Sequence, residues 1–546
     1  LLAPVFTARR GALWAAVLVV AVGFWTLGLR EAAAEVSSPA PSLTPALGPL
    51  NIREYRVQGA HHLDALTVGQ AVYPFLGPGR TDNDVEQARA ALEKAYHDKG
   101  FQTVAVQVPQ QNPRSGIIVM QVVENKVGRL RVKGARYYLP SRIKAAVPSL
   151  AEGTVLNFNQ VTREILALNQ WAGRRVTPSL KPGEVPGTVD IDLNVEDKLP
   201  LHASLELNNR YSANTTDLRL NASISYDNLW QLGHSAGLSF QTSPEDTAAV
   251  KVWSAYYIAR FANPDWPALL LQATKQNSDV STLGDVDVVG RNESAGMRLL
   301  FSLPGASGFF QSFNFGFDYK HTNQRVALGS GLAATLSTTP LNYVPISASY
   351  SATWIQPGAI TEFDTDLNFS FRGLGDSDTR FDNSRVKATG SYIYLRGDLA
   401  HTHDLPAGFQ LYGKVQGQVA DQPLVSNEQF AAGGLSTVRG YLEAAALGDN
   451  GVVGSVELRS PPLLGWLGNK KDEWRVFAFA DAGYVTLNDA LPEQQNNYKL
   501  ASFGFGSRLT LFDHINGEFD AGIPLISQSP TNAHDLLLTF RIEAEF

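Results

Sequence analysis

The sequence predicts a transmembrane antiparallel β-barrel of about 16 strands, preceded by two small α/β domains of order β-α-α-β-β. Three observations predict it. From Leu199 to the end, short segments alternate apolar and polar residues, and the polar face carries full charges. Between Ile52 and Glu196, a strand–helix–helix–strand–strand pattern of about 70 residues occurs twice. Past Arg30, no uncharged apolar run approaches the roughly 20 residues that a spanning helix needs.

The chain opens with Arg9 and Arg10, an uncharged stretch from Gly11 to Leu29, then Ala32-Ala33-Ala34 and Glu35. Residues 1–34 therefore read as a secretory signal cleaved after Ala34. Residues 35–50, rich in proline and small residues, read as an extended linker.

The first α/β domain is expected over 51–125. Ile52–Val57 reads as a strand closed by Gly59, and Leu63–Tyr73 as a helix. Asp82 is expected to cap a second helix carrying Val85, Ala88, Leu92 and Tyr96 on one face, stopped by Gly100. Phe101–Val108 and Gly116–Val123 alternate like strands. The second domain, 126–198, repeats the order with Val127–Val132, Ser141–Val147, Asn159–Trp171, Val176–Leu180 and Thr188–Val195.

The barrel is expected over 199–546, in strands of roughly 9–11 residues. Leu205 and Leu207 share one face against Glu206 and Asn208. Phe313, Phe315, Phe317 and Tyr319 share another, and Leu538, Phe540, Ile542, Ala544 and Phe546 end the chain against Thr539, Arg541, Glu543 and Glu545. No helix follows to cover so long an apolar face. In lipid every backbone group must be paired, so such a sheet has to close on itself.

Composition narrows the function. A charged fraction of 18% with 44% hydrophobic residues excludes a disordered chain. A mean hydropathy of -0.11 is too polar for a helical membrane protein, yet alternating strands average to such a value. The net charge of -7 argues against nucleic acid as a partner. The absence of cysteine excludes a disulfide scaffold, a thiolate metal site and a cysteine nucleophile. No P-loop or H-E-x-x-H is present, so neither an enzyme nor a cofactor or metal is expected. His401 and His403 read as a solvated turn before Asp404, and Gly329-Ser330-Gly331 as an external loop.

Four motifs in order then carry a resemblance. The first domain contains Tyr96, Gly100-Phe101, Thr103 and Val108-Pro109-Gln110; the second contains Leu180-Lys181-Pro182-Gly183 and Pro186-Gly187-Thr188. The barrel contains Val438-Arg439-Gly440-Tyr441 and, later, Phe479-Ala480-Asp481-Ala482-Gly483. From Ile52 to Phe546 the chain resembles the TpsB transporters of two-partner secretion, which include FhaC and ShlB and belong to the BamA superfamily. The resemblance implies two periplasmic POTRA domains and a barrel in the bacterial outer membrane, in contact with its lipid. It implies an unfolded secreted exoprotein (TpsA-like, a haemolysin or haemagglutinin) as partner, whose capture by the POTRA domains is expected to use strand addition to an open sheet edge. It also implies insertion by the barrel-assembly machinery, with Phe546 as the terminal signal.

Arg439 is implied to lie in a loop folded into the lumen and to pair with Asp481. The residues agree: 479, 481 and 483 share strand parity, so Asp481 faces away from lipid, and Gly433, Gly434 and Gly440 let the Arg439 loop fold back. One departure is the short stretch before the first domain, about 16 residues after the cleavage site, too few for the FhaC-like plug helix. A BamA-like insertase is the alternative reading; two α/β units rather than a longer array favour secretion. A simple porin would lack both units.

Overall fold

The computed structural model describes residues 50–546 apart from 170–172, 214, 262–265, 278–279, 284–285, 290, 329–334, 468–471 and 493. The expected signal, most of the linker, any plug helix and the Gly329-Ser330-Gly331 loop lie outside the described residues. Leu50, read above as linker, belongs instead to a strand, paired with Arg80 and buried.

The first α/β unit comprises β1 (Leu50–Ile52), β2 (Glu54–Gln58), α1 (Ala65–Val72), β3 (Gly77–Arg80), α2 (Asp82–Asp98), β4 (Val104–Gln107) and β5 (Ile117–Glu124). Its sheet runs β2-β5-β4, with β2 parallel and β4 antiparallel to the centre. The single strand expected at Ile52–Val57 is split, since β1 leaves the sheet to pair with β3. The cap of α2 is Thr81 rather than Asp82: the Asp84 carboxylate accepts the Thr81 amide and hydroxyl, each at 2.7 Å, and closes the first turn. Ala88, Leu92 and Tyr96 bury the inner face of α2 against Ile118 and Met120 of β5.

The second unit repeats this with β6 (Lys126–Lys133), α3 (Pro140–Ala145), α4 (Phe158–Asn169), β7 (Arg174–Pro182) and β8 (Thr188–Asp197), in sheet order β6-β8-β7. Val161 and Leu168 of α4 pack with Ile143 of α3 on Ile191 and Leu193 of the central strand.

The rest is a closed antiparallel barrel of 16 strands among the described residues. Its first part is β9 (Leu201–Asn208), β10 (Arg219–Leu229), β11 (His234–Thr242), β12 (Lys251–Ala259) and β13 (Ala268–Asn277), after which a small hairpin of β14 (Val280–Leu283) and β15 (Val286–Val289) stands outside the wall. The wall continues with β16 (Arg291–Ala306), β17 (Phe309–Leu328), β18 (Thr335–Tyr343), β19 (Ile346–Gln356) and β20 (Ala359–Ser370). A short helix, α5 (Asp378–Ser384), leads to β21 (Tyr392–Asp404) and β22 (Gln410–Ala420). Then come β23 (Phe430–Ala432), β24 (Ala446–Gly448), β25 (Asn450–Arg459), β26 (Glu473–Thr486), β27 (Asn497–Leu511), β28 (Ile515–Pro524) and β29 (Leu537–Glu545).

β18 and β19 make one crossing broken at Val344-Pro345: β17 pairs with both, and the Pro345 carbonyl still accepts the Asp318 amide at 3.1 Å. β29 closes on β9. Several strands exceed the expected 9–11 residues, β17 reaching 20, because strand pairing persists beyond the apolar belt. The outer face is apolar, as at Leu205, Val415, Phe505 and Leu538, all exposed on the wall. The inner face is charged and paired, as in Arg298–Asp318 at 2.5 Å and Arg541–Glu206 at 2.7 Å. His401 and His403 lie on β21, not in a turn, with rings stacked 6.0 Å apart, because pairing runs on to His403 with β20 and to Asp404 with β22.

Candidate functional site

Residues 421–449 connect β22 to β25 and fold back into the lumen instead of leaving it. β23 and β24 pair as a short hairpin at the root of this loop. Gly433 and Gly434 take φ of 106° and Gly440 takes 86°, values at which a Cβ is strained. Gly440 passes against Gly522 of β28: a Cβ on Gly522 would lie 2.6 Å from the Gly440 nitrogen. Two glycines thus let the loop tip lie directly on the wall.

Arg439 stands at the tip, only 4% exposed. Its Nε donates to Asp481 Oδ2 at 2.8 Å and its Nη2 to Asp481 Oδ1 at 2.7 Å, a bidentate pair to which the Arg439 amide adds a third bond at 3.0 Å. Nη1 donates to Glu457 Oε1 at 2.6 Å and Nη2 to Ser455 Oγ at 2.9 Å. The guanidinium lies 3.7 Å from the Phe479 ring centroid, a cation–π contact. Phe479, Asp481, Ser455 and Glu457 all project inward by strand parity, so Arg439 is gripped by two adjacent strands. Asp520 of β28 lies 3.8 Å from Nη1.

The other motif residues complete the dock. Val438 packs on Gly483, where a Cβ would come within 3.1 Å of it. The Tyr441 hydroxyl donates to Ile526 O at 2.7 Å. Sequence reasoning missed the surrounding charges. Glu457 is also held by Arg508 at 2.9 Å and Arg459 at 2.7 Å. Glu443, four residues past Arg439, takes Arg210, just past the end of β9, at 2.7 Å. Glu428 at the loop root receives Lys320 at 2.5 Å, Tyr343 at 2.6 Å and Tyr394 at 2.8 Å. Inward parity, which marks Glu457, Arg459, Arg508 and Lys320 as lumen residues, was the available signal.

The motif residues of the α/β units have partners of their own. The Tyr96 hydroxyl donates to Glu124 at 3.1 Å, and burial with that neighbouring carboxylate pushes the phenol well up. Burial opposes ionisation of Glu124, but the His61 and His62 amides and the His62 ring outweigh it and hold the carboxyl below its usual range. Gly100 ends α2 at φ 96°, and its carbonyl accepts the Phe158 amide that opens α4, at 2.8 Å. The Thr103 carbonyl accepts Asn125 Nδ2 at 2.8 Å. Pro109 leads to Gln111, whose side-chain amide, rather than that of Gln110, bonds Val119 twice, at 2.7 and 2.8 Å. Pro182 ends β7, Gly183 donates to Thr188 O at 3.0 Å, and Gly187 takes φ 78° in the turn between. Phe546 pairs with Ala203 through both backbone groups, at 2.9 and 3.1 Å, and its ring is exposed.

Comparison with known proteins agrees with this architecture. The family model described as haemolysin secretion/activation protein ShlB/FhaC/HecB matches residues 187–509, and that of the ShlB-type POTRA domain matches 50–125. The outer membrane transporter CdiB of Escherichia coli O6:K15:H31 is 22% identical, over 95% of this chain and 86% of its own length. CdiB of Dickeya dadantii is 22% identical over 78% of this chain and 75% of its own. Among solved structures, CdiB from Escherichia coli superposes with a TM-score of 0.63 at 17% identity, covering 97% of this chain and 98% of that one. BamA from Haemophilus ducreyi lacking POTRA domains 1–3 superposes at 0.56 with 13% identity, covering 91% and 100%.

Proposed function

The chain belongs to the haemolysin secretion/activation family of ShlB, FhaC and HecB, and from that premise we propose that it exports one large exoprotein through its lumen, with the 421–449 loop as the gate. It is an outer-membrane two-partner secretion transporter whose POTRA domains lie in the periplasm. The POTRA units capture the unfolded exoprotein by strand addition. The cargo then threads the bore in place of the loop and folds outside, which gives the movement its direction without a nucleotide.

The observation that carries the gate reading is Arg439, buried in the lumen and bound at once by Asp481 and Glu457. A loop tip fastened by charge through glycine-rich flanks is a closure that can be undone without unfolding the wall. Insertion of the chain itself by the barrel-assembly machinery is supported by the exposed Phe546 ring at the end of an alternating strand.

Deleting the gene and comparing proteins in the medium and in the outer membrane tests the proposal. One exoprotein is expected to vanish from the medium while the outer-membrane barrels stay at their normal level. Broad loss of barrels would instead make the chain an insertase.

A further inference from the structure

Each POTRA unit has two sheet edges at which an extended chain could add, and they are not equivalent. In the first, β4 is one edge, and the backbone groups of Val104 and Val106 face away from β5. All four are taken. Val104 donates to Phe101 O at 3.2 Å, and its carbonyl lies 3.3 Å from His97 Nε2. The Val106 amide donates to Glu93 Oε2 at 3.1 Å and its carbonyl accepts Arg89 Nη1 at 3.2 Å. Arg89 and Glu93 are themselves paired at 2.7 Å on α2. Where β4 ends, Gln111 fills the next slot on β5 through its two bonds to Val119.

The matching edge of the second unit, β7, is closed in the same manner. Asn169 at the end of α4 bonds the Val176 amide at 2.7 Å and its carbonyl at 2.9 Å. Positions 178 and 182 share the parity of Val176, and both are prolines with no N–H to offer. β6 is half covered. Val127 exchanges two bonds with Gly153 and Thr154, both at 2.8 Å, and the Leu130 amide donates to Glu152 at 3.1 Å.

β2 differs from these three. One side pairs with β5 along all of Glu54–Gln58, and among the described residues no hydrogen bond reaches its other side. Uncovered strand edges recruit extended chains, and proteins ordinarily block them. Here β4 and β7 are blocked by side chains and prolines and β6 is blocked over part of its length, which leaves β2 as the edge open throughout.

We infer that β2 is the strand-addition site, at which an extended segment of the unfolded exoprotein pairs its backbone along Glu54–Gln58. This rests on the capture reading above. Recognition through backbone groups accepts many cargo sequences, and the edge has room for about five residues at roughly 3.3 Å each.

The chain has no cysteine, so single-cysteine variants report one position each. The probe is the N-terminal segment of the exoprotein that the deletion identifies, held unfolded and carrying spaced cysteines, added to the full chain in detergent. Arg56→Cys on β2, Gln107→Cys on β4 and Thr177→Cys on β7 all change exposed residues. Disulfide capture at Arg56→Cys is expected to exceed the other two by about tenfold, because a closed edge must first lose its clamp. Adding Arg89→Ala and Glu93→Ala is expected to raise capture at Gln107→Cys toward the Arg56→Cys level. Preferential capture at Gln107→Cys or Thr177→Cys would overturn the edge assignment and leave capture by strand addition standing. Preferential capture at Arg131→Cys on the half-covered β6, also an exposed position, would likewise overturn the edge assignment, and capture at none of the four would remove the capture reading itself. A disulfide from Arg56→Cys to a cysteine placed within residues 35–49 of the same chain, excluding the probe, would also overturn the assignment.

Discussion

Arg439 holds the loop through geometry as much as charge. Its planar fork reaches both Asp481 oxygens, Glu457 and Ser455 together, and a lysine ammonium is a single point that cannot span them. Arg439→Lys is therefore expected to behave like Arg439→Ala. Removing one partner of a buried pair costs about 3–5 kcal/mol, and water in the bore lowers that; even about 1.4 kcal/mol moves the closed-to-open ratio tenfold. Planar-bilayer recordings should show both variants open far more often than the unaltered chain. Equal opening of all three, in barrels that assemble normally, would remove Arg439 from the gate. Asp481→Asn is expected to be milder, since Glu457 still binds the guanidinium at 2.6 Å. For the same reason the swap of Arg439→Asp with Asp481→Arg should not restore closure: the new carboxylate at 439 would face Glu457. The shared parity of 479, 481 and 483 made the inward direction of Asp481 legible in sequence. The grip by Glu457 was not legible, because it depends on which strand becomes the neighbour of β26.

At the scale of elements, the second POTRA sheet is stapled by one carboxylate. Asp192 on the central strand β8 receives Lys133 of β6 at 2.7 Å and Lys181 of β7 at 2.8 Å. The hydrogen bonds from Lys133 and Lys181 pull its carboxyl down to about 2. A folded value below the unfolded value of about 3.9 means the stabilisation is present in full above pH 4 and is lost as pH falls toward 2. Asp192→Asn should remove it at neutral pH and flatten the loss of stability between about pH 4 and pH 2. Hydrogen exchange of the Thr188–Asp197 segment, followed against pH in both forms, measures this; parallel pH profiles would contradict it. The elements themselves were mostly legible, because periods of 2 and 3.6 survive in any strand or helix with one buried face. What escaped was decided by local chemistry that periodicity does not record. Thr81 took the cap because its backbone is extended and Asp84 could reach back to it, and β1 left the sheet to pair with the glycine-rich β3.

For the whole molecule, barrel closure followed from a simple physical demand, that no strand edge remain bare in lipid, and so could be argued from sequence. Where the closed wall is weakest could not be, since register across the seam joins residues from opposite ends of the barrel. β29 and β9 pair at five positions, Arg541–Asn208 to Glu545–Ser204, and Phe546 with Ala203 adds a sixth, against 14 between β26 and β27. Past the Asn208 end, the side chain of Asn209 substitutes for strand: its Nδ2 donates to Leu538 O at 2.8 Å and its Oδ1 accepts the Phe540 amide at 2.7 Å. Asn209→Ala should free both groups at the end of the seam while leaving every other strand pair intact. Loss of about 1 kcal/mol there corresponds to roughly fivefold faster exchange of the Phe540 amide. Hydrogen-exchange mass spectrometry of the barrel in detergent should show this acceleration confined to Leu537–Glu545 and Leu201–Asn208, with β26 and β27 unchanged. Acceleration spread evenly around the wall would mean that the barrel opens as one unit and that the seam has no separate weakness.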